Sequence, residues 1–98
     1  MAEPDELIHQ ALRLRIVASL YAQREAEPVE FTRLKALVRA TDGNLGSHLA
    51  TLEKAGYVSI VKDFVGKRPR TRVAITPAGA AAFLRHTAFL RDVLDSAQ

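Results

Sequence analysis

Thr41-Asp42-Gly43-Asn44-Leu45-Gly46-Ser47-His48-Leu49-Ala50-Thr51-Leu52-Glu53-Lys54-Ala55-Gly56 decides the fold of this chain. Leu45, Leu49 and Leu52 repeat at the i, i+4 and i+7 spacing of one helical face. Asp42 is the expected N-cap, because its carboxylate accepts free amide hydrogens of the next turn. Gly56 is suited to the left-handed position that ends a helix. With residues ~100° apart around the axis, the helix 43–55 places Gly43, Asn44, Ser47, Ala50, Thr51 and Lys54 opposite the leucines, with His48 on the flank. That outer face is short and polar, with no carboxylate at its centre. Asn, Ser and Thr hydrogen-bond base edges, the Thr methyl contacts thymine, and the free amides of the first turn suit a phosphate.

Working outward, Thr32 is the expected cap of a shorter helix that turns Leu34, Leu37 and Val38 inward, after an extended stub Val29-Glu30-Phe31. The tight connection Ala40-Thr41-Asp42-Gly43 makes residues 32–55 a helix-turn-helix. Upstream, Leu7, Ala11, Leu14 and Ala18 recur on one face, with Ile8, Leu12, Ile16 and Leu20 beside them, which predicts a first helix over 5–23. Downstream, Tyr57–Val61 and Arg72–Ile75 read as strands joined through Gly66-Lys67-Arg68-Pro69-Arg70, a hairpin within 57–76. Thr76-Pro77 pairs a cap with a proline at the first helical position, which opens a last helix over 77–95. Ala80, Phe83, Thr87, Leu90 and Leu94 share one face of it. The expected fold is a single α+β domain over 1–98, mostly α, with a three-helix core, a two-stranded hairpin and a C-terminal helix.

The formal charge of +3 is unevenly spread. Residues 1–30 set three arginines against six carboxylates, a net of −3. Residues 31–61 carry +2, and from residue 73 onward the charges cancel. The eleven residues 62–72 hold Lys62, Lys67, Arg68, Arg70 and Arg72 against Asp63 alone, a net of +4. A local excess of that kind is an electrostatic footprint for a polyanion.

Other chemistries find little support. With no cysteine, disulfides, thiolate zinc sites and cysteine nucleophiles are excluded. His9, His48 and His86 lie on three different predicted helices, so no metal site and no cofactor is expected. There is no strained G-x-S-x-G turn, no P-loop, and no apolar setting to separate the pKa values of Glu25, Glu27 and Glu30. No apolar run is long enough to span a membrane, and the first residues are acidic where a signal peptide is basic, so a cytoplasmic protein is expected.

The segment Thr41–Leu45, His48-Leu49 and Leu52–Val58 resembles the recognition helix of bacterial and archaeal winged-helix transcriptional regulators. Arg13–Val17 and Thr76–Gly79 add to the likeness, which covers roughly residues 7–94 and is strongest to the small MarR/ArsR-like group. The resemblance implies a homodimeric repressor or activator whose third helix enters the major groove of double-stranded DNA. By position, Asn44, Ser47, His48 and Thr51 would face bases or nearby phosphates. Lys67, Arg68 and Arg70 would reach backbone or minor groove from the wing. Lys54 and Arg72 complete the candidate set. The group often has Ser where this chain has Gly46, and its metal-sensing members carry cysteine pairs that are missing here.

Both terminal helices are apolar over more than the ~100° stripe that a monomeric surface helix needs, and exposed together they would form a patch that soluble monomers rarely tolerate. A two-fold dimer is expected, with Leu7, Ala11, Phe83, Leu90, Val93 and Leu94 as candidate contacts. Two other readings stay open: a winged helix whose basic hairpin docks on an acidic protein, and a small-molecule effector held between the terminal helices.

Overall fold

The computed structural model describes residues 2–97. In chain order the elements are α1 (Ala11–Ala22), β1 (Val29–Glu30), α2 (Phe31–Val38), α3 (Asp42–Lys54), β2 (Val58–Val65), β3 (Arg68–Ile75) and α4 (Pro77–Ser96). The sheet is antiparallel in the order β1-β3-β2. One core holds it together. Ile16, Val17 and Leu20 from α1, Leu34 and Val38 from α2, and Leu45, Leu49 and Leu52 from α3 pack against Val29, Val58 and Val73 of the sheet. Ile8 and Ala82 close the side that faces α4.

The first helix is shorter than the 5–23 expected. Asp5 Oδ1 accepts the amides of Leu7 and Ile8 at 3.0 and 3.1 Å, which closes a separate turn. Gln10 is extended and its side chain caps Arg13 N at 2.8 Å, so α1 begins at Ala11. Asp5 thus caps its own turn, while Gln10 captures the Arg13 amide that a continuous helix would have given to the His9 carbonyl.

The extended stub becomes a strand: Val29 pairs with Val73 and Glu30 with Arg72, making the sheet three-stranded where a two-stranded hairpin was expected. This pairing holds the backbone extended through Glu30. Consequently α2 starts at Phe31, Glu30 is its N-cap without a side-chain bond, and Thr32 lies inside the first turn rather than capping it. Arg39 ends α2 in the left-handed region, φ 56°, where a side chain costs conformational energy that glycine would not.

The cap of α3 is Thr41, one residue before the Asp42 expected. Thr41 Oγ1 accepts from Asn44 N at 3.2 Å, and Asp42 becomes the first helical residue. There its carboxylate suits the helix dipole and meets Lys35 Nζ at 2.8 Å, tying α2 to α3. At the other end Tyr57 N bonds Leu52 O and Gly56 N bonds Glu53 O, both at 2.9 Å, with Gly56 at φ 82°. That is a complete Schellman motif, and it turns the chain directly into β2.

The hairpin is longer than its expected strands. β2 and β3 stay paired from Val58–Ile75 out to Val65–Arg68, leaving a tip of only Gly66-Lys67. Gly66 alone has positive φ there, 62°, as in a type II′ turn that matches strand twist. β1 forms one edge of the sheet and β2 the other, longer one. At its base, Thr76 Oγ1 donates to Gly56 O at 2.6 Å and accepts from Gly79 N at 3.0 Å, so one hydroxyl caps α4 and binds it to the end of α3. α4 buries Gly79, Ala82 and His86, a line of small residues and one imidazole, and leaves Leu84, Val93 and Leu94 exposed.

Candidate nucleic-acid interface

α3 turns its leucines inward and presents Asn44, Ser47 and Lys54 fully to solvent, with His48 and Thr51 half-buried beside them. The Thr51 hydroxyl donates back to Ser47 O at 3.3 Å. Nothing lies within 4 Å of where a Cβ would stand on Gly43 or Gly46. The outer surface of α3 is therefore low, and its backbone can approach a groove floor closely. Between α3 and the hairpin runs a groove of about 570 Å³ lined by Phe31, Gly46, Leu49, Ala50, Glu53, Ile60, Lys62 and Thr71. Glu53 is the one carboxylate on it, a feature that the helical projection alone did not single out.

On the hairpin, strand alternation sorts the charges. Arg68, Arg70 and Arg72 share a face with Val61, Asp63 and Val65, while Lys62 and Phe64 share the other with Pro69 and Thr71. Arg70 holds Asp63 through two parallel bonds, Nε to Oδ1 at 2.9 Å and Nη2 to Oδ2 at 2.8 Å. Arg72 adds Nη2 to Oδ2 at 3.2 Å and approaches Glu27 at 3.7 Å. The Arg70 hydrogen bonds, followed by the charges of Arg70 and Arg72, hold the Asp63 carboxyl below the usual carboxylate range. Arg70 rises in turn, chiefly through its bonds to Asp63.

The five cations of residues 62–72 are thus of two kinds. Arg70 and Arg72 are occupied within the sheet, and they stiffen the hairpin. Lys62, Lys67 and Arg68 are exposed and, among the described residues, have no ion-pair partner. Asp63 was visible in the sequence only as the lone acid in a basic run; its clamping role depends on register.

The candidate dimer residues divide as well. Val93 and Leu94 are exposed, at 47% and 69%, and Leu84 joins them at 51%. Ala11 is exposed, and Leu7 and Leu90 are half-buried. Phe83 packs within its own chain, its ring 4.9 Å from that of Tyr21. The N-terminal turn docks through polar contacts on α4, where Asp5 N donates to His86 Nδ1 at 3.1 Å, and on the link between α3 and β2, where Tyr57 OH donates to Asp5 Oδ2 at 2.7 Å. His9 and His86 do meet, ring centroids 5.4 Å apart, but among the described residues no group of three or more His, Cys, Asp or Glu is placed to hold a metal ion. None of the described helices is long and apolar enough to cross a membrane.

A helix-turn-helix with an accessible second helix, a basic three-stranded hairpin unit beside it and a long closing helix defines a winged-helix protein that binds DNA. Residues 12–94 match the winged helix DNA-binding domain family, and the chain belongs to it. It is 37% identical over 78 residues to the uncharacterized protein MJ0432 of Methanocaldococcus jannaschii, spanning 80% of this chain and 82% of that one. The solved transcriptional regulator homologue from Pyrococcus horikoshii OT3 is 31% identical with a TM-score of 0.85, over 96% of this chain and 90% of its own. Streptococcus pneumoniae FabT, solved in complex with DNA, shares the fold at 17% identity and a TM-score of 0.60, over 92% of this chain and 64% of its own. The chain is a DNA-binding transcription regulator with the winged-helix fold.

Proposed function

We propose that this regulator acts as a cytoplasmic, non-catalytic homodimer that reads a palindrome-like operator. In this reading α3 lies in the major groove, with Asn44, Ser47, His48, Thr51 and Lys54 on bases or adjoining phosphates. Lys62, Lys67 and Arg68 meet the backbone or minor groove, while Arg70 and Arg72 hold the wing in shape through Asp63. The observation that carries it is the pairing of a low helix face, free of carboxylate at its centre, with a protruding hairpin whose unpaired cations lie at and near its tip. Phosphate contacts position a protein and base contacts specify its site, so the two surfaces divide the work. The exposed Val93 and Leu94 of α4, with Ala11 and Leu7 of the N-terminal region, supply the surface for two-fold pairing.

Selection of bound duplexes from a random pool tests the reading. The expected product is a symmetric site with half-sites ~34 Å apart, one helical turn. Lys67→Ala and Arg68→Ala should each reduce the salt slope of binding by ~0.9 for every phosphate left without its cation. Ser47→Ala should alter the base preference and leave the slope in place. Absence of salt-sensitive binding to any duplex would refute the proposal and favour an acidic protein partner for the wing.

A further inference from the structure

Phe64 is not accounted for by the core or by phosphate contact. Its ring is 70% exposed, more than any other large apolar side chain of the described residues. It lies two residues before the Gly66-Lys67 tip and opposite Pro69 across the hairpin. Pro69 has a fixed φ and no amide hydrogen, so the backbone facing the ring is stiff. The register gives Phe64 the same face of the sheet as Lys62 and Thr71, the face that lines the groove beside α3. Asp63, by contrast, points to the other face, where Arg70 holds it. A flat apolar ring is thus carried near the end of a rigid projection, with Lys62 on its own face, Lys67 at the adjacent tip, Arg68 on the reverse face, and no carboxylate on its own strand face.

We propose that Phe64 is a wedge that enters the minor groove and partly unstacks one base-pair step beneath the wing. The inference rests on the DNA-binding reading above and commits to duplex DNA as the occupant, because Lys62 beside the ring and Lys67 and Arg68 at the tip complement phosphate. Apolar side chains inserted at a base step kink the duplex, and the cost depends on the step. Pyrimidine–purine steps open easily and A-tracts resist. The wing therefore reads deformability at a position that α3 does not touch, which adds indirect specificity to the base contacts of the third helix.

The test uses the full chain and a selected operator carrying 2-aminopurine at successive steps under the wing, since this base brightens when unstacked. Wild type should raise the fluorescence at one step in each half-site. Phe64→Ala should abolish that rise, flatten the preference for a TA or CA step over an A-tract, and weaken binding by about tenfold, the order of one base–aromatic stack. Its salt slope should equal that of wild type, because every cation still reaches its phosphate, and Phe64→Leu should retain part of the signal. Salt-sensitive binding with flat fluorescence at every step would overturn the wedge alone. Absence of salt-sensitive binding would overturn the DNA reading and the wedge with it. A change of assembly state in Phe64→Ala, seen by light scattering with fluorescence retained, would assign the ring to contact between copies instead.

Discussion

Gly79 is the tightest point of the fold, and replacing it with alanine sets two calculable effects against each other. Gly79 is helical, so a methyl group there improves intrinsic helix propensity by about 1 kcal/mol. Its Cβ, however, would fall on the Tyr57 carbonyl oxygen, well inside contact distance, with the Tyr57 carbonyl carbon at 2.9 Å and Ile75 Cγ1 at 3.0 Å. Neither backbone yields easily. Tyr57 O accepts the Thr76 amide at 3.0 Å, and Tyr57 N closes the end of α3 on Leu52 O at 2.9 Å. Overpacking costs ~1–3 kcal/mol, and disturbing the Thr76–Tyr57 bond in a partly buried seam adds ~1–3 kcal/mol. After the propensity gain, the expected net loss is ~1–5 kcal/mol, a substantial part of a stability on the order of 5–15 kcal/mol. At ~4–8 °C per kcal/mol for a domain of this size, Tm should fall by ~4–40 °C. Gly46→Ala is the matched control. It is also helical but meets nothing within 4 Å, so only the propensity gain remains and Tm should rise by ~4–8 °C. Circular-dichroism melts at one fixed protein concentration measure both, because association also shifts Tm. A Gly79→Ala protein as stable as wild type would show that the α4–β2 seam is loose and the reasoning wrong.

Three further outcomes are expected. Asp63→Asn frees Arg70 and Arg72 from their shared carboxylate, so binding to random duplex should tighten with a steeper salt dependence while operator discrimination narrows; unchanged gel shifts on both duplexes would contradict the clamp. Burial, then the neighbouring His9, lower the His86 pKa below the ordinary value near 6.5, against the opposing pull of Asp5. The folded state therefore binds fewer protons than the unfolded one, so stability is full above pH ~6.5 and falls as the pH drops below it. Urea midpoints at pH ~7.5 and ~5.5 should show this fall, and His86→Asn, which keeps an acceptor for the Asp5 amide, should flatten it. Finally, Val93→Lys with Leu94→Lys should reduce the mass found by light scattering from twice 10.8 kDa to 10.8 kDa, with the melting curve showing a folded chain.

The parts of this fold that were legible in the sequence are those built from local chemistry. The leucine spacing of α3, the glycine that ends it, and the Thr76-Pro77 start of α4 each act within a turn or two. Thr41 and Asp42 are both good caps, and propensity alone does not choose between neighbours that differ by one position. The break at Gln10 depends on its own amide side chain and on an Asp5 turn that α4 supports through His86. Strand β1 was visible as an extended stub, but its pairing with β3 joins residues more than forty positions apart. The candidate site shows the same division. The basic run placed the wing, yet sorting its cations into clamped and free required the register set by Gly66-Lys67. The buried line of α4 lies one position away from the Ala80, Phe83 and Thr87 face that its periodicity suggests. Close approach selected the small side chains of Gly79 and Ala82 in place of the larger apolar ones.

Strand β2 closes the sheet on one side with no neighbour, and it carries Val61, Phe64 and Val65 at 44%, 70% and 55% exposure. An unpaired, apolar strand edge is a template on which another chain can add itself. Lys62, Lys67 and Arg68 then have a second consequence: as like charges on every copy, they act as gatekeepers that keep two such edges apart. Salt screens that repulsion over a Debye length of ~8 Å at physiological ionic strength. The protein without DNA should accordingly become less soluble as salt is raised, whereas operator DNA, by covering the wing, should protect it from self-association.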